Sequence, residues 1–261
     1  MKLNHHRVGQ GPALVLIHGI GSHWQVWAPV LDRLASEREV IALDLPGFGE
    51  SPALPAGTRP TLEALSDAVV AFLSELGIER PHVAGNSLGG WLALELARRG
   101  LPASATALSP GGFWNRREAA YSRASLRATI RGARLMSPVA HVVAATPVGR
   151  TMLFAQVMAR PWRMPAQEAV SALRALAGAN VFEETLELLT SDRFSDGAGI
   201  TIPTTIAWGE RDWLLIPRQA HRAARAVPRA RSITLHGCGH VPTWDDPEQV
   251  ARVLLDGSSG A

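Results

Sequence analysis

The chain has 261 residues, 46% of them hydrophobic, one cysteine and a formal net charge of +3. That length buries one sizeable core, as one domain or one domain with an insertion, and a lone Cys238 excludes an internal disulfide. No apolar run approaches the roughly 18 residues that span a bilayer, the start Met1-Lys2-Leu3-Asn4 is polar, and the arginines are not interleaved with aromatics as single-stranded nucleic acid requires; a cytoplasmic protein without membrane or nucleic-acid partners is expected.

Apolar, β-branched runs alternate with segments of helical period, which predicts an α/β fold with a mostly parallel sheet and helices on both faces. Strands are expected near 2–8, 14–17, 40–43, 82–84, 106–108, 205–208 and 232–235, about seven in all, with 2–8 at an edge. Helices are expected near 27–37, 62–76, 88–98, 218–226 and 247–255. The run 13–17 leads into His18-Gly19-Ile20-Gly21, with Trp24 and Trp27 just beyond; 40–43 leads into Asp44-Leu45-Pro46-Gly47-Phe48-Gly49-Glu50-Ser51. The run 82–84 leads into Gly85-Asn86-Ser87-Leu88-Gly89 and then a helix, and a serine at the tip of a sharp strand-turn-helix is built as a nucleophile. Side chains at Gly85 or Gly89 would collide with the neighbouring strand and helix.

Between 109 and 199 the alternation stops, and helical segments are punctuated by Pro138, Pro147, Pro161 and Pro165. We read 113–199 as an inserted helical lid over the crevice at the strands' C-terminal ends, with 1–112 and 200–256 as the core and 257–261 as a disordered, Gly/Ser-rich tail. Phe113, Trp114, Met136, Phe154, Met158 and Trp162, together with Trp24, are candidates for an apolar substrate pocket. Arg116, Arg123, Arg127, Arg131 and Arg134 recur at helical spacing, as a solvated cationic face would, with a site for anionic ligands or lipid headgroups as the alternative. Downstream, 205–208 leads into Gly209-Glu210-Arg211-Asp212 and 232–235 into Gly237-Cys238-Gly239-His240; Asp245 and Asp246 then look like the start of the last helix.

Ser87, then Asp212, then His240 is the chain order of one kind of serine-hydrolase triad. With the four ordered motifs, the chain resembles the α/β-hydrolase superfamily from about residue 5 to residue 255. The resemblance implies Ser87 as nucleophile, His240 as general base and Asp212 as the carboxylate that orients the imidazole. It also implies an oxyanion hole from the backbone N–H groups of Ile20 and Leu88. A Ser87–His240 contact of about 2.6 to 3.2 Å is expected, longer in a relaxed site. Glu210 is the nearest rival acid, but it sits one residue after Gly209 where the family places its acid about three after. Cys238 is a rival nucleophile in a loop that carries the base. His18 is expected to organise loop backbone.

These residues imply a serine carboxylesterase acting on small to medium acyl or aryl esters through an acyl-enzyme, with a small-molecule substrate and no cofactor or metal. Gly-Asn-Ser-x-Gly-Gly also occurs in relatives that cleave carbon–carbon bonds of ring-fission diketones, although those carry Gly-Pro-Gly where this chain has Gly19-Ile20-Gly21, and a tryptophan where it has Val241. Thioesterase and lactonase chemistry uses the same groups, and a non-catalytic receptor of this fold is a further alternative. Oligomeric state is not encoded in these motifs.

Overall fold

A computed structural model describes residues 1–259. In chain order, β1 (His5–Val8) and β2 (Ala13–Ile17) precede α1 (Ala28–Ala35), β3 (Glu39–Leu43), α2 (Leu62–Glu75), β4 (His82–Asn86), α3 (Leu88–Arg98) and β5 (Ser104–Leu108). An all-helical stretch follows: α4 (Arg116–Met136), α5 (Ala140–Ala144), α6 (Pro147–Phe154), α7 (Ala166–Gly178) and α8 (Phe182–Ser191). The chain returns to the sheet with β6 (Thr204–Gly209), α9 (Arg218–Ala226), β7 (Arg231–Leu235) and α10 (Pro247–Gly257).

The seven strands form one sheet in the order β1-β3-β2-β4-β5-β6-β7, antiparallel only at the β1–β3 edge. Alternate residues of each strand feed opposite cores, because successive side chains point to opposite faces. Val15, Ile17, Ile41 and Leu43 join Leu65, Val69 and Phe72 of α2 and Trp91 and Leu92 of α3. Leu14, Leu16, Val40 and Ala42 join Val30 and Leu34 of α1 and Val250 and Leu254 of α10 on the other face. Both faces are covered, which is why these strands read as near-continuous apolar runs.

The chain leaves β2 in one direction to β3 and pairs on its other side with β4, so the strand order reverses there. At such a switch point the loops after neighbouring strands diverge and leave a crevice. Ile17 at the end of β2 lies opposite Gly85 in β4, which brings the His18–Gly21 loop beside Ser87.

Helix starts follow local chemistry. Asn115 and Glu118 exchange side-chain and backbone hydrogen bonds at the start of α4, and Asp246 caps α10 by accepting from the Gln249 N–H, with Pro247 in the first turn. The tail departs from expectation. Gly257 closes α10 and Ser258 is buried, its hydroxyl and carbonyl accepting from the Arg38 guanidinium at 3.1 Å each. A buried cation in need of acceptors orders a segment whose composition reads as disordered; Gly260 and Ala261 lie outside the described residues. Among the described residues no helix is long and apolar enough to cross a membrane.

Candidate active site

Ser87 sits at φ 59° and ψ −114° between β4 and α3, a backbone conformation that persists only where surroundings over-determine it. Two glycines do so: a Cβ on Gly85 would overlap the Gly89 carbonyl, and one on Gly89 the Ile17 carbonyl. The Ser87 N–H donates to Leu108 O at 2.9 Å, and its carbonyl accepts from Trp91 and Gly111 N–H at 3.0 and 3.1 Å. The side chain is thus presented at the top of the sheet. The Leu88 N–H opens α3 and has no protein acceptor among the described residues.

His240 arrives on the loop after β7 and is buried. Its Nδ1 lies 2.8 Å from Asp212 Oδ2; a carboxylate only accepts, so Nδ1 carries the proton and Nε2 keeps its lone pair. Asp212 Oδ1 accepts from Leu214 and Leu215 N–H at 2.9 and 2.7 Å, which locks the carboxylate in place. Glu210 instead points to solvent and accepts from Gly237 N–H at 2.8 Å. His240 Nε2 is buried without a hydrogen-bond partner among the described residues. The expected Ser87–His240 hydrogen bond is therefore not formed, as is common for such contacts in ligand-free sites. The Cys238 thiol is fully buried and pushed up to about 12, first by burial and then by Asp245 and Asp246; a thiol so held is no nucleophile at neutral pH.

Two residues whose roles sequence reasoning missed secure this loop. Asn86 Nδ2 donates to His240 O at 2.8 Å and to Leu108 O at 3.1 Å, tying the serine's strand to the histidine's backbone. Asp245 does not cap α10. Its buried carboxylate accepts from Gly239 N–H (2.7 Å), Ala159 N–H (2.9 Å) and Arg160 N–H (2.6 Å), joining the histidine loop to the insertion. Burial pushes its pKa up against these three donors. Neither role has a sequence signature beyond a polar residue beside a motif.

On the opposite side, His18 organises the loop after β2. Leu45 N–H donates to His18 Nε2 at 2.9 Å, so Nδ1 holds the proton and donates to Gly19 O at 2.7 Å. That carbonyl belongs to the peptide whose other end is the Ile20 N–H, so the bond orients the N–H expected to serve an oxyanion hole. Burial holds the ring neutral, its pKa lowered to about 4 despite the opposing charge of Asp44.

A sequence profile of the alpha/beta hydrolase family matches residues 14–253. The chain belongs to the alpha/beta hydrolase family. It is 32% identical over 252 residues to the dihydrolipoyllysine-residue acetyltransferase component of an acetoin cleaving system from Pseudomonas putida; the match takes in 94% of this hydrolase but only 63% of the longer relative. It is 30% identical over 251 residues to a putative carbamate hydrolase of Pseudomonas savastanoi pv. phaseolicola, over 94% of this chain and 93% of the other. A crystal structure of a membrane phospholipase A, described as a bacterial virulence factor, superposes with a TM-score of 0.78 at 26% identity over 99% of this hydrolase and 87% of that chain.

In this hydrolase Ser87, His240, Gly19 and Ile20 border a cavity of about 580 Å3 roofed by the insertion. Met136, Phe154 and Met158 line it, as the sequence suggested, with Leu153, Met164, Leu173, Leu176 and Phe182. Trp24, Phe113, Trp114 and Trp162 do not. Trp24 stacks on His6 and borders a separate cleft. Phe113 packs on Phe194 and Trp208, and Trp114 on Trp91, buried where the insertion leaves the sheet. Trp162 faces outward, half exposed. Large aromatics satisfy packing wherever they fall, so size and apolarity alone did not find the wall. Leu173 and Leu176, three apart on α7, gave the better signal. Among the described residues the lining contains no Asp, Glu, Lys or Arg, and no group of three or more His, Cys, Asp or Glu is arranged to hold a metal ion.

Proposed function

We propose that this hydrolase is a serine carboxylesterase for neutral esters with short to medium acyl or aryl groups. The observation that carries the reading is the His240–Asp212 hydrogen bond of 2.8 Å with the free His240 Nε2 and Ser87 on one floor of a neutral, largely apolar cavity. Ser87 Oγ attacks the ester carbonyl as its proton passes to His240 Nε2, and the Ile20 and Leu88 N–H groups receive the oxyanion. Collapse expels the alkoxide, which takes the proton from His240; water, deprotonated by His240, then releases the acid and restores Ser87. The carbamate hydrolase relative supports an acyl centre of this kind, and an aryl carbamate belongs in the substrate panel.

Two alternatives fit less well. Ring-fission diketones carry a carboxylate, for which a lining without Arg or Lys offers no partner; thioesters and lactones share the mechanism and differ only in the leaving group. Turnover of p-nitrophenyl esters of graded acyl length by wild type and Ser87→Ala tests the reading. Activity lost in Ser87→Ala supports it. Cleavage of a ring-fission diketone with no ester turnover overturns it, and so does saturable ligand binding with no turnover at all.

A further inference from the structure

The insertion exposes large apolar side chains in one stretch of chain: Leu135 at the end of α4 (77% exposed), Val139 and Val142 around α5, and Val148 and Met152 (81% exposed) on α6. Met152 is at once exposed and part of the cavity lining, together with Ala128 and Gly132 of α4, so this stretch borders an opening of the cavity. Trp162, half exposed, lies beside it, its carbonyl accepting from Arg150 Nη2 at 3.2 Å.

The charge along this stretch of chain has one sign. From Glu118 to Glu168 the sequence holds no intervening Asp or Glu, while arginines recur throughout. Some are spoken for: Arg123 and Arg127 pair with Glu183 and Glu187 of α8, which accounts for part of the cationic stripe on α4 as a solvated, paired face. Arg160 and Arg163 turn to the Asp245 backbone. Arg131, Arg134 and Arg150 form no ion pair among the described residues; Arg134 and Arg150 reach only carbonyls. The flanking carboxylates are Glu118, bonded to Arg222, and the half-buried Glu168 in the first turn of α7.

We propose that this face docks on an anionic lipid surface, with the apolar side chains entering the headgroup boundary, the arginines meeting lipid phosphates, and the cavity mouth opening onto the lipid. Apolar residues flanked by cations and a half-exposed tryptophan are the chemistry of an interfacial surface. Such docking needs no spanning helix, so it replaces the expectation of no membrane partner that rested on the absence of an apolar span. It does not rest on the esterase reading: binding is measured on wild type and on Ser87→Ala alike.

The test is sedimentation with vesicles of phosphatidylcholine alone or mixed with phosphatidylglycerol. Wild type and Ser87→Ala should bind the anionic vesicles and lose binding as salt rises. Replacing both Arg131 and Arg134 with serine should lower the partition coefficient about 25-fold, about fivefold per arginine near the surface. The triple variant Leu135→Ser, Val142→Ser, Val148→Ser should abolish binding at any salt while leaving turnover of a soluble ester unchanged, since none of the three lines the cavity. Absence of binding by wild type at low salt, or binding equal in both variants, overturns the proposal. A wild-type dimer in light scattering that the apolar triple variant dissociates also overturns it, because a second copy then covers this face.

Discussion

On the floor of the cavity, functional groups are set by main-chain geometry: Ser87 by two glycines without room for a Cβ, Asp212 by two backbone N–H groups, and the Gly19–Ile20 peptide by a histidine bonded to its carbonyl. The wall is made otherwise, from Met, Leu and Phe side chains on packed helices of the insertion, where one apolar residue substitutes for another at modest cost. The floor should therefore tolerate almost no change of residue, while the wall should tolerate many that change what fits.

The sharpest break of that contrast is at the floor. Asp212→Asn should cut kcat by about 10,000-fold through the wrong imidazole tautomer while the fold persists, and Glu210→Gln should change it less than twofold; steady-state kinetics with circular dichroism as control decide, and the opposite ranking would assign the acid to Glu210. The next effect is on stability. Because the buried His18 pKa is lowered to about 4 from an ordinary 6.5, the unfolded chain binds a proton in that window that the folded chain refuses. Its contribution is thus present above pH 6.5 and falls as pH drops towards 4, by up to about 3 kcal/mol. Urea unfolding of His18→Gln across pH 4 to 7 should show a shallower slope than wild type, and parallel slopes would refute the assignment.

Smaller effects probe the join between floor and wall. Asn86→Ala removes the bond to His240 O; kcat should fall about tenfold, the equivalent of about 1.4 kcal/mol, with KM little changed. An effect confined to KM would mean that Asn86 touches substrate. At the wall, Phe154→Ala should move the acyl-length optimum of kcat/KM upward, by up to roughly fourfold, about 0.8 kcal/mol, per added methylene. Trp162→Ala and Phe113→Ala should leave that optimum in place, because neither lines the cavity; a shift in either would redraw the wall.

The same contrast explains what was legible in the sequence. His240 bonds Asp212 and shares a cavity lining with Ser87, without the expected Ser87–His240 hydrogen bond; that much was legible because strand-end motifs with obligatory glycines encode backbone geometry locally. The inner strands were legible for a related reason: strands covered on both faces must be apolar throughout, whereas the edge strands β1 and β7 carry polar, exposed residues. The wall was half legible. Met136, Phe154 and Met158 line the cavity and Trp24, Phe113, Trp114 and Trp162 do not, since the direction a side chain takes from a helix depends on packing between helices far apart in sequence. Asp245 and residues 257–259 were misread for the opposite reason. Their local pattern was clear, but Ala159, Arg160 and Arg38 supplied long-range partners that outweighed it.

Asp245 has a consequence for anyone who re-engineers this protein. Its carboxylate holds the insertion through the amides of residues 159 and 160 and the histidine loop through that of Gly239. Amides are alike in every residue but proline, so, apart from the Arg160 guanidinium on Asp245 O, this joint is indifferent to which side chains occupy 155–160 and sensitive to how many residues there are. A library of substitutions at Ala155, Gln156 and Ala159 should yield mostly active clones, whereas deleting one residue from 155–158 should pull the joint out of register and silence turnover with the core still folded. Exchanges of this helical stretch between relatives should accordingly be cut so that this spacing is kept, whatever the grafted sequence.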